Sequence, residues 1–110
     1  MRFHPSALAL ACALALAAGS AAAQTVTGNA ADAKKKIAMC EGCHGIPGYK
    51  TAYPEVYHVP KLGGQQAAYI VSALQAYKSG ARTHPSMRGI AAGLSEQDMA
   101  DLASYYAGSK

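Results

Sequence analysis

The run Cys40-Glu41-Gly42-Cys43-His44 constrains this 110-residue chain more than any other feature. Two cysteines separated by two residues and followed directly by a histidine are the attachment signature of a c-type haem. Each thiol can add to one vinyl group of the porphyrin, and the adjacent histidine can supply an axial nitrogen to the iron. The run therefore predicts one haem c, bound covalently through Cys40 and Cys43 and ligated by His44.

Three alternative roles of a Cys-x-x-Cys pair fit the chain less well. A structural disulfide of this spacing would close a very short loop and would constrain little of the unfolded chain. A thioredoxin-like redox pair belongs in a βαβ unit, and no segment has the pattern of a strand. A zinc site would need further ligands at finger-like spacing, which the sequence does not offer. A haem-free thiol protein stays open as an alternative, which extraction of the bound pigment would test.

The N-terminus has the pattern of a secretory signal peptide. Arg2 provides a basic start, Ala7–Ala18 is almost entirely alanine and leucine, and Ala21–Ala23 supplies the small residues of a cleavage site. We therefore predict cleavage after Ala23, so that residues 24–110 form one domain in the periplasm. The two predictions agree, because haem c is attached on the outer side of the bacterial cytoplasmic membrane.

Two other fates of this leader stay open. A retained membrane anchor is disfavoured because Ala7–Ala18 is too short to span a bilayer as a helix. Lipidation of Cys12 is disfavoured because Ala9 stands where a lipoprotein signal carries a branched residue. We expect no transmembrane segment in the mature chain, whose two remaining cysteines are those of the haem motif.

Charge gives little indication of the partner. The whole chain has ten Lys and Arg residues against six Asp and Glu, and loss of Arg2 with the leader leaves a net charge of +3. Lys34-Lys35-Lys36 is the only dense basic run, and we interpret it as the solvated face of a helix rather than as a docking patch. No other feature supports nucleic-acid binding, which we do not expect.

Apolar periodicity predicts three helices after the leader. The first covers Ala30–Met39, with Asn29 as its N-cap. The second covers Gln65–Lys78, and Gly80 ends it. The third begins at Ser95, where Asp98 three residues later resembles a capping box. The segments 45–64 and 82–94 are predicted as loops, and the first of them is long enough that it should wrap something, for which a haem is the obvious candidate.

The order of these features resembles class I cytochromes c, in particular the small bacterial single-haem type similar to one domain of cytochrome c4 or to cytochrome c5/c553. The resemblance runs from about Ala30 to Ala107. The residues that carry it are Cys40-x-x-Cys43-His44-Gly45, Pro60-x-Leu62-x-Gly64-Gln65, Tyr69, Leu74, Tyr77, Gly80-x-Arg82, Met87 and Leu102-Ala103-x-Tyr105-Tyr106-Ala107. Between them, Tyr49–Val59 departs from the family, because it is longer and richer in tyrosine than the expected loop.

The resemblance implies an all-α cytochrome c fold, with three to four helices around one covalently attached haem. It implies that the iron lies between His44 and a methionine sulfur. It also implies that the carbonyl oxygen of Pro60 accepts a hydrogen bond from Nδ1 of His44, which would fix the imidazole ring and raise its basicity.

Five side chains compete to be the second axial ligand. Met87 is favoured because it lies in a predicted loop, at a point in the chain that matches the family. Met39 adjoins the attachment motif and cannot easily reach the opposite side of the haem, and Met99 is better explained as a core residue. His84 is the main rival of Met87, and ligation by it would lower the reduction potential. His58 is expected at the surface or beside a propionate.

These features predict a periplasmic electron carrier with His44/Met87 ligation, and not an enzyme. Its partners would be redox proteins: a donor such as a dehydrogenase or a quinol-oxidising complex, and an acceptor such as a terminal oxidase. Two alternatives stay open, a subunit permanently bound to such an enzyme and a haem protein with an open iron site that binds small ligands. The apolar side chains expected to bury the haem are Ile37, Leu62, Ile70, Leu74, Ile90 and Leu94.

Overall fold

The computed structural model describes residues 26–53 and 56–109, and within them the chain is mostly helical. Its elements are α1 (Ala30–Ala33), α2 (Ala38–His44), β1 (Lys50–Thr51), β2 (Tyr57–His58), α3 (Ala67–Ser79), α4 (Pro85–Ala92) and α5 (Glu96–Ala107). The predicted signal peptide, with Cys12, lies outside the described residues. None of the described helices combines the length and the apolar character that a membrane crossing requires.

The first predicted helix is two short helices. Asn29 caps α1 as predicted, since its side-chain oxygen accepts a hydrogen bond from the Ala31 amide over 2.9 Å. A turn at residues 34–37 separates α1 from α2. The second piece then continues beyond the predicted end, to His44. This extension places all three residues of the haem motif on one helix.

The segment 82–94 is not a loop, and the prediction of one was wrong. It contains α4, whose N-cap is His84 and whose first residue is Pro85. In the sequence, Pro85 and Gly89 favour irregular structure. Proline is nevertheless well suited to the first position of a helix, because the amide that it lacks would have no partner there. The helix brings the number of helices in the described chain to five, against the three to four expected.

A second correction concerns the segment that departs from the family. β1 and β2 pair antiparallel, with Lys50 opposite His58 and Thr51 opposite Tyr57, although the sequence pattern predicts no strand there. The Val59 amide extends the ladder by donating to the carbonyl oxygen of Tyr49 over 3.0 Å. Each strand is only two residues long, which is too short for an alternating pattern to be detected in the sequence.

The core lies where α1, α3 and α5 meet. Its buried residues are Ala33, Ile70, Leu94, Met99, Leu102, Ala103 and Tyr106. The chain entering α1 passes directly against α5, because a Cβ atom placed on Gly28 would lie 2.0 Å from the carbonyl oxygen of Ala100. Only a residue without a side chain permits this crossing.

A buried carboxylate ties the two ends of the domain together. Asp101 is 2% exposed; it accepts hydrogen bonds from the Asn29 amide and from Gln97 Nε2, each over 2.8 Å. These bonds lower the pKa of Asp101, the Asn29 amide having the largest effect. Lys36 Nζ lies 3.4 Å from the same carboxylate, so the charge is both hydrogen-bonded and paired.

The helix α5 begins with the predicted capping box. Ser95 Oγ accepts from the Asp98 amide over 3.1 Å, and Asp98 Oδ2 accepts from the Ser95 amide over 2.9 Å. Lys36 also pairs with Asp98. The Lys36 ammonium and then the Ser95 amide lower the pKa of Asp98 to about 2, from an ordinary value of 3.8.

We expect this depressed pKa to make the fold sensitive to acid. Because the folded state holds the Asp98 proton less tightly, the stabilisation is complete above about pH 4 and is lost as the pH falls towards 2. Asp98→Asn should therefore be less stable than the wild type at pH 5, and its stability should fall less steeply below pH 4. Urea unfolding followed by circular dichroism at both pH values measures this. Parallel stability curves for the two proteins would contradict it.

Candidate haem-binding site

The helix α2 carries the attachment motif as one unit. Cys40 and Cys43 are three residues apart on it and therefore project from the same side. Neither sulfur forms a disulfide, and Cys43 is exposed while Cys40 is half-buried against the core. Burial raises the pKa of the Cys40 thiol, since the thiolate would lose its hydration. Both cysteines are thus presented as free thiols on one surface of a rigid element.

His44, the last residue of α2, has its ring fixed by the chain that follows the hairpin. Its Nδ1 lies 2.7 Å from the carbonyl oxygen of Pro60, so the hydrogen bond that the resemblance implies is present. A carbonyl oxygen can only accept, so Nδ1 carries the proton. The lone pair is then on Nε2, which is the arrangement required of a metal ligand.

All five predicted site residues border one cavity. Its volume is about 580 Å³, which is in the range of cofactor sites in proteins. Cys40, Cys43 and His44 reach it from α2, Met87 reaches it from α4, and Pro60 borders it from the intervening loop. The size of the cavity, its apolar walls, two free thiols and two possible axial ligands fit a haem, so the donor set and the space agree.

The structure separates the candidates for the second axial position. Met87 is half-buried on α4, in a helix and not in the predicted loop. His84 also borders the cavity, but its Nδ1 accepts a hydrogen bond from the Met87 amide over 3.4 Å and thus caps the helix that carries the rival ligand. Met99 is fully buried in the core, as predicted. His58 lies exposed on β2 and Met39 lies on α2 beside the cysteines.

The apolar wall was predicted in part. Leu62, Ile70, Leu74 and Ile90 border the cavity as expected. Ile37 and Leu94 do not; Leu94 is buried in the core cluster and Ile37 packs against it. Ile37 directly precedes α2, and Leu94 lies two residues after α4. Outside a helix, helical periodicity no longer indicates which way a side chain projects.

Two tyrosines that sequence patterns do not assign to the site also border the cavity. Tyr57 reaches it from β2. Tyr106 reaches it from α5 and donates a 2.5 Å hydrogen bond from its hydroxyl to Oε1 of Glu41, inside the attachment motif. Burial raises the pKa of Tyr106 far above its ordinary value. Helical spacing in the sequence assigns Tyr106 to the core. The only sequence signal for a role at the site is its hydroxyl, because a buried tyrosine hydroxyl needs a hydrogen-bond partner.

We expect this bond to stabilise the site measurably. Tyr106→Phe should lower the free energy of unfolding by about 1.5–3 kcal/mol, the range for hydrogen bonds to charged groups. Tyr105→Phe is the matched control, because the Tyr105 ring packs edge-on against Tyr106 at 5.0 Å. Among residues 26–53 and 56–109, no carboxylate accepts a hydrogen bond from the Tyr105 hydroxyl. Denaturant unfolding of both variants measures the difference in the free energy of unfolding. Equal losses would show that the hydrogen bond to Glu41 contributes no more stability than the Tyr105 hydroxyl does.

Arg82 and two tyrosines form a further set of contacts in the wall of the cavity. The Arg82 guanidinium lies 5.4 Å from the ring centre of Tyr69 and 5.7 Å from that of Tyr77. Its Nη2 also donates to the Tyr69 hydroxyl over 3.0 Å. These contacts join the loop after α3 to α3 itself, and all three residues border the cavity.

Comparison with known proteins agrees with this geometry. The family model described as cytochrome c matches residues 30–108. A cytochrome c4 of Pseudomonas aeruginosa is 40% identical over 83 residues, which are 76% of this chain and 39% of that protein. Cytochrome c-554(548) of Halomonas halodenitrificans is 42% identical over 82 residues, which are 72% of this chain and 94% of that protein.

Solved structures give the same result. Reduced recombinant cytochrome c4 from Pseudomonas stutzeri superposes with a TM-score of 0.56 at 33% identity, over 77% of this chain and 53% of that one. Cytochrome c4 of Acidithiobacillus ferrooxidans superposes with a TM-score of 0.55 at 26% identity, over 96% and 65%. The chain thus spans well under two thirds of the cytochrome c4 of Pseudomonas aeruginosa, but nearly all of the Halomonas protein. It belongs to the cytochrome c family, whose members bind haem c covalently, and is a class I c-type cytochrome with the all-α fold of that class.

Proposed function

We propose that this protein is a periplasmic electron carrier whose haem iron is ligated by His44 and Met87. The observation that carries the proposal is the single cavity bordered by both residues and by both cysteines. Haem-based electron transfer follows from membership of the family; the axial pair, the location and the absence of an enzymatic reaction are our inference.

Ligation of the iron by His44 and Met87 is the reason why we propose electron transfer and not an enzymatic reaction. The haem supplies a one-electron couple when it is bound. His44 is oriented by Pro60 so that Nε2 points away from the hydrogen bond, and Met87 is held on a capped helix. If His44 and Met87 both held the iron, no coordination position would be open to a substrate, and the methionine sulfur would raise the potential relative to a second histidine.

The signal peptide predicted at residues 1–23 supports a periplasmic location, where haem attachment also takes place. A redox donor and acceptor follow as partners: a dehydrogenase or quinol-oxidising complex on one side and a terminal oxidase on the other. We propose a shuttle between them, which would use a weak and small interface suited to fast exchange. A permanently bound subunit is the alternative, and a stable complex on gel filtration of native extract would favour it.

Replacement of Met87 tests the axial assignment. Met87→Ala should lose the near-red absorption of ferric iron bound to sulfur, and should bind carbon monoxide readily in the ferrous form. The reduction potential should fall by on the order of 0.1 V, since axial ligands set haem potentials over a range of about 0.8 V. Absorption spectra and redox titration measure these effects.

Met99→Leu is the control for that experiment. Met99 is fully buried away from the cavity, and leucine conserves its volume, so the spectrum and the potential should be unchanged. If Met87→Ala retains the near-red band and excludes carbon monoxide, the second ligand is another residue, and His84→Ala is then the next variant to examine.

A further inference from the structure

The hairpin of β1 and β2 has two faces with different surroundings. Thr51 and Tyr57 form a cross-strand pair and both border the cavity. The Tyr57 ring also lies edge-on to His84, with 5.3 Å between the ring centres. Because successive residues of a strand project to opposite sides, the neighbouring pair, Lys50 and His58, belongs to the outer face, and both residues are exposed.

Two apolar side chains that flank the tip of the hairpin are strongly exposed. Tyr53 is 88% exposed and Val56 is 67% exposed, the two highest values among the large hydrophobic residues of the described chain. A short strand pair of this size is not stable by its own contacts, so packing against residues that border the cavity, such as His84, must support it. Two large apolar side chains held out from the same support indicate a contact with another molecule.

Charge is unevenly distributed between the two parts of the chain. Residues 45–94, which supply the hairpin, α3 and α4, contain five Lys and Arg residues and one acidic residue, Glu55. The acidic residues of α1, α2 and α5 are already engaged. Their partners are Lys35 for Asp32, Lys36 for Asp98 and Asp101, Tyr106 for Glu41 and Gln75 for Glu96.

Exposed cations of residues 45–94 lack such acidic partners within the described part of the chain. Within residues 26–53 and 56–109, Lys50, Lys61 and Arg88 form no ion pair, although all three side chains are exposed. Lys61 borders the cavity itself. Lys50, which forms no ion pair with the described residues, and the exposed side chains of Tyr53 and Val56 are complementary to an acidic surface with an apolar centre.

We propose that Lys50, Tyr53, Val56 and His58 form a docking surface for a redox protein that presents acidic side chains around an apolar patch. The proposal rests on the proposed function and adds the surface and the chemistry of the partner. The hairpin covers the cavity with its inner face, so a partner seated on its outer face lies close to the haem. The positive charges accelerate the approach of the partner, and the apolar side chains of Tyr53 and Val56 fix its position in the complex. Both properties are expected of a fast and transient complex.

The test uses an electrode whose surface carries acidic and apolar groups, like those of the proposed partner. The haem-loaded protein is adsorbed on gold coated with carboxylate- and methyl-terminated thiols, and on gold coated with carboxylate- and hydroxyl-terminated thiols. Voltammetry measures the coverage and the rate of electron transfer. The wild type should prefer the methyl-containing surface, and Tyr53→Ser/Val56→Ser should abolish that preference, whereas Val26→Ser, which alters an exposed residue outside the hairpin, should retain it.

The charge contribution is tested with a matched pair of variants. Lys50→Glu should slow adsorption on both surfaces about tenfold at low ionic strength, the smallest change in association rate expected from loss of steering. Lys34→Glu changes the net charge equally but alters the turn after α1, so its effect should be less than about twofold. Equal losses in the two variants, or unchanged binding in the hairpin variants, would overturn the proposal.

Two further measurements distinguish other occupants of the surface. Binding to anionic lipid vesicles that depends on Tyr53 would assign the hairpin to a membrane surface, and self-association in sedimentation that depends on Tyr53 would assign it to a second copy; either result overturns the proposal. Photoreduction by neutral lumiflavin tests electron transfer separately. If lumiflavin fails to reduce the wild type, the proposed function fails; if it reduces every variant while the electrode shows no dependence on the hairpin, only the docking surface fails.

Discussion

Replacing both Cys40 and Cys43 with serine should give a colourless polypeptide that does not fold stably. The cysteines border a cavity of about 580 Å³ with apolar walls. Without a haem, these walls would face water and would lose the packing contacts that the haem supplies, and the whole stability of a typical domain is only about 5–15 kcal/mol. We therefore expect the haem to be needed for the fold as well as for the function.

Absorbance after acid-acetone extraction and the mass of the purified chain measure attachment, and circular dichroism measures folding. Gly42→Ala is the control, because it changes the same motif at a position with no neighbouring atom within 4 Å, and it should retain both colour and fold. Serine variants that stay coloured after extraction would contradict the attachment. Colourless variants that unfold cooperatively would contradict the dependence of the fold on haem.

Gly28→Ala should be the most destabilising of the small substitutions in this protein. The added methyl group would lie 2.0 Å from the carbonyl oxygen of Ala100 and 2.5 Å from its carbonyl carbon. These are backbone atoms of α5, which cannot move aside as a flexible side chain could. Overpacking commonly costs about 1–3 kcal/mol, and we expect at least the upper end of that range, together with weaker binding of Asp101 by the Asn29 amide.

Thermal and urea unfolding of the haem-loaded protein measure the loss. Gly42→Ala is again the comparison, because alanine in the open interior of α2 should stabilise the helix by up to about 1 kcal/mol. The two glycine substitutions should thus have opposite signs. A loss of less than about 1 kcal/mol at Gly28, below the usual range for overpacking, would mean that the N-terminal segment can shift away from α5 without cost.

Features that depend on residues close together in the chain can be predicted from local patterns. The attachment run Cys40–His44, the Asn29 cap, the Ser95–Asp98 capping box and the stop at Gly80, where φ is +85°, all follow from side chains within four residues of the backbone groups they serve. The hydrogen bond between His44 and Pro60 was also expected, but only from the resemblance to a family.

Features that depend on distant residues could not be predicted in this way, because they arise from the packing of the folded chain. Pro85 and Gly89 suggest a loop, but α4 forms there and packs against α3. The two-residue strands of the hairpin are likewise accompanied by a contact with a distant residue, because the Tyr57 ring lies edge-on to His84 beside the cavity. The bond from Tyr106 to Glu41 joins residues 65 positions apart. The physical reason is that local patterns specify hydrogen bonds within one turn of the chain, whereas the partner of a long-range contact exists only after the chain has folded around its haem.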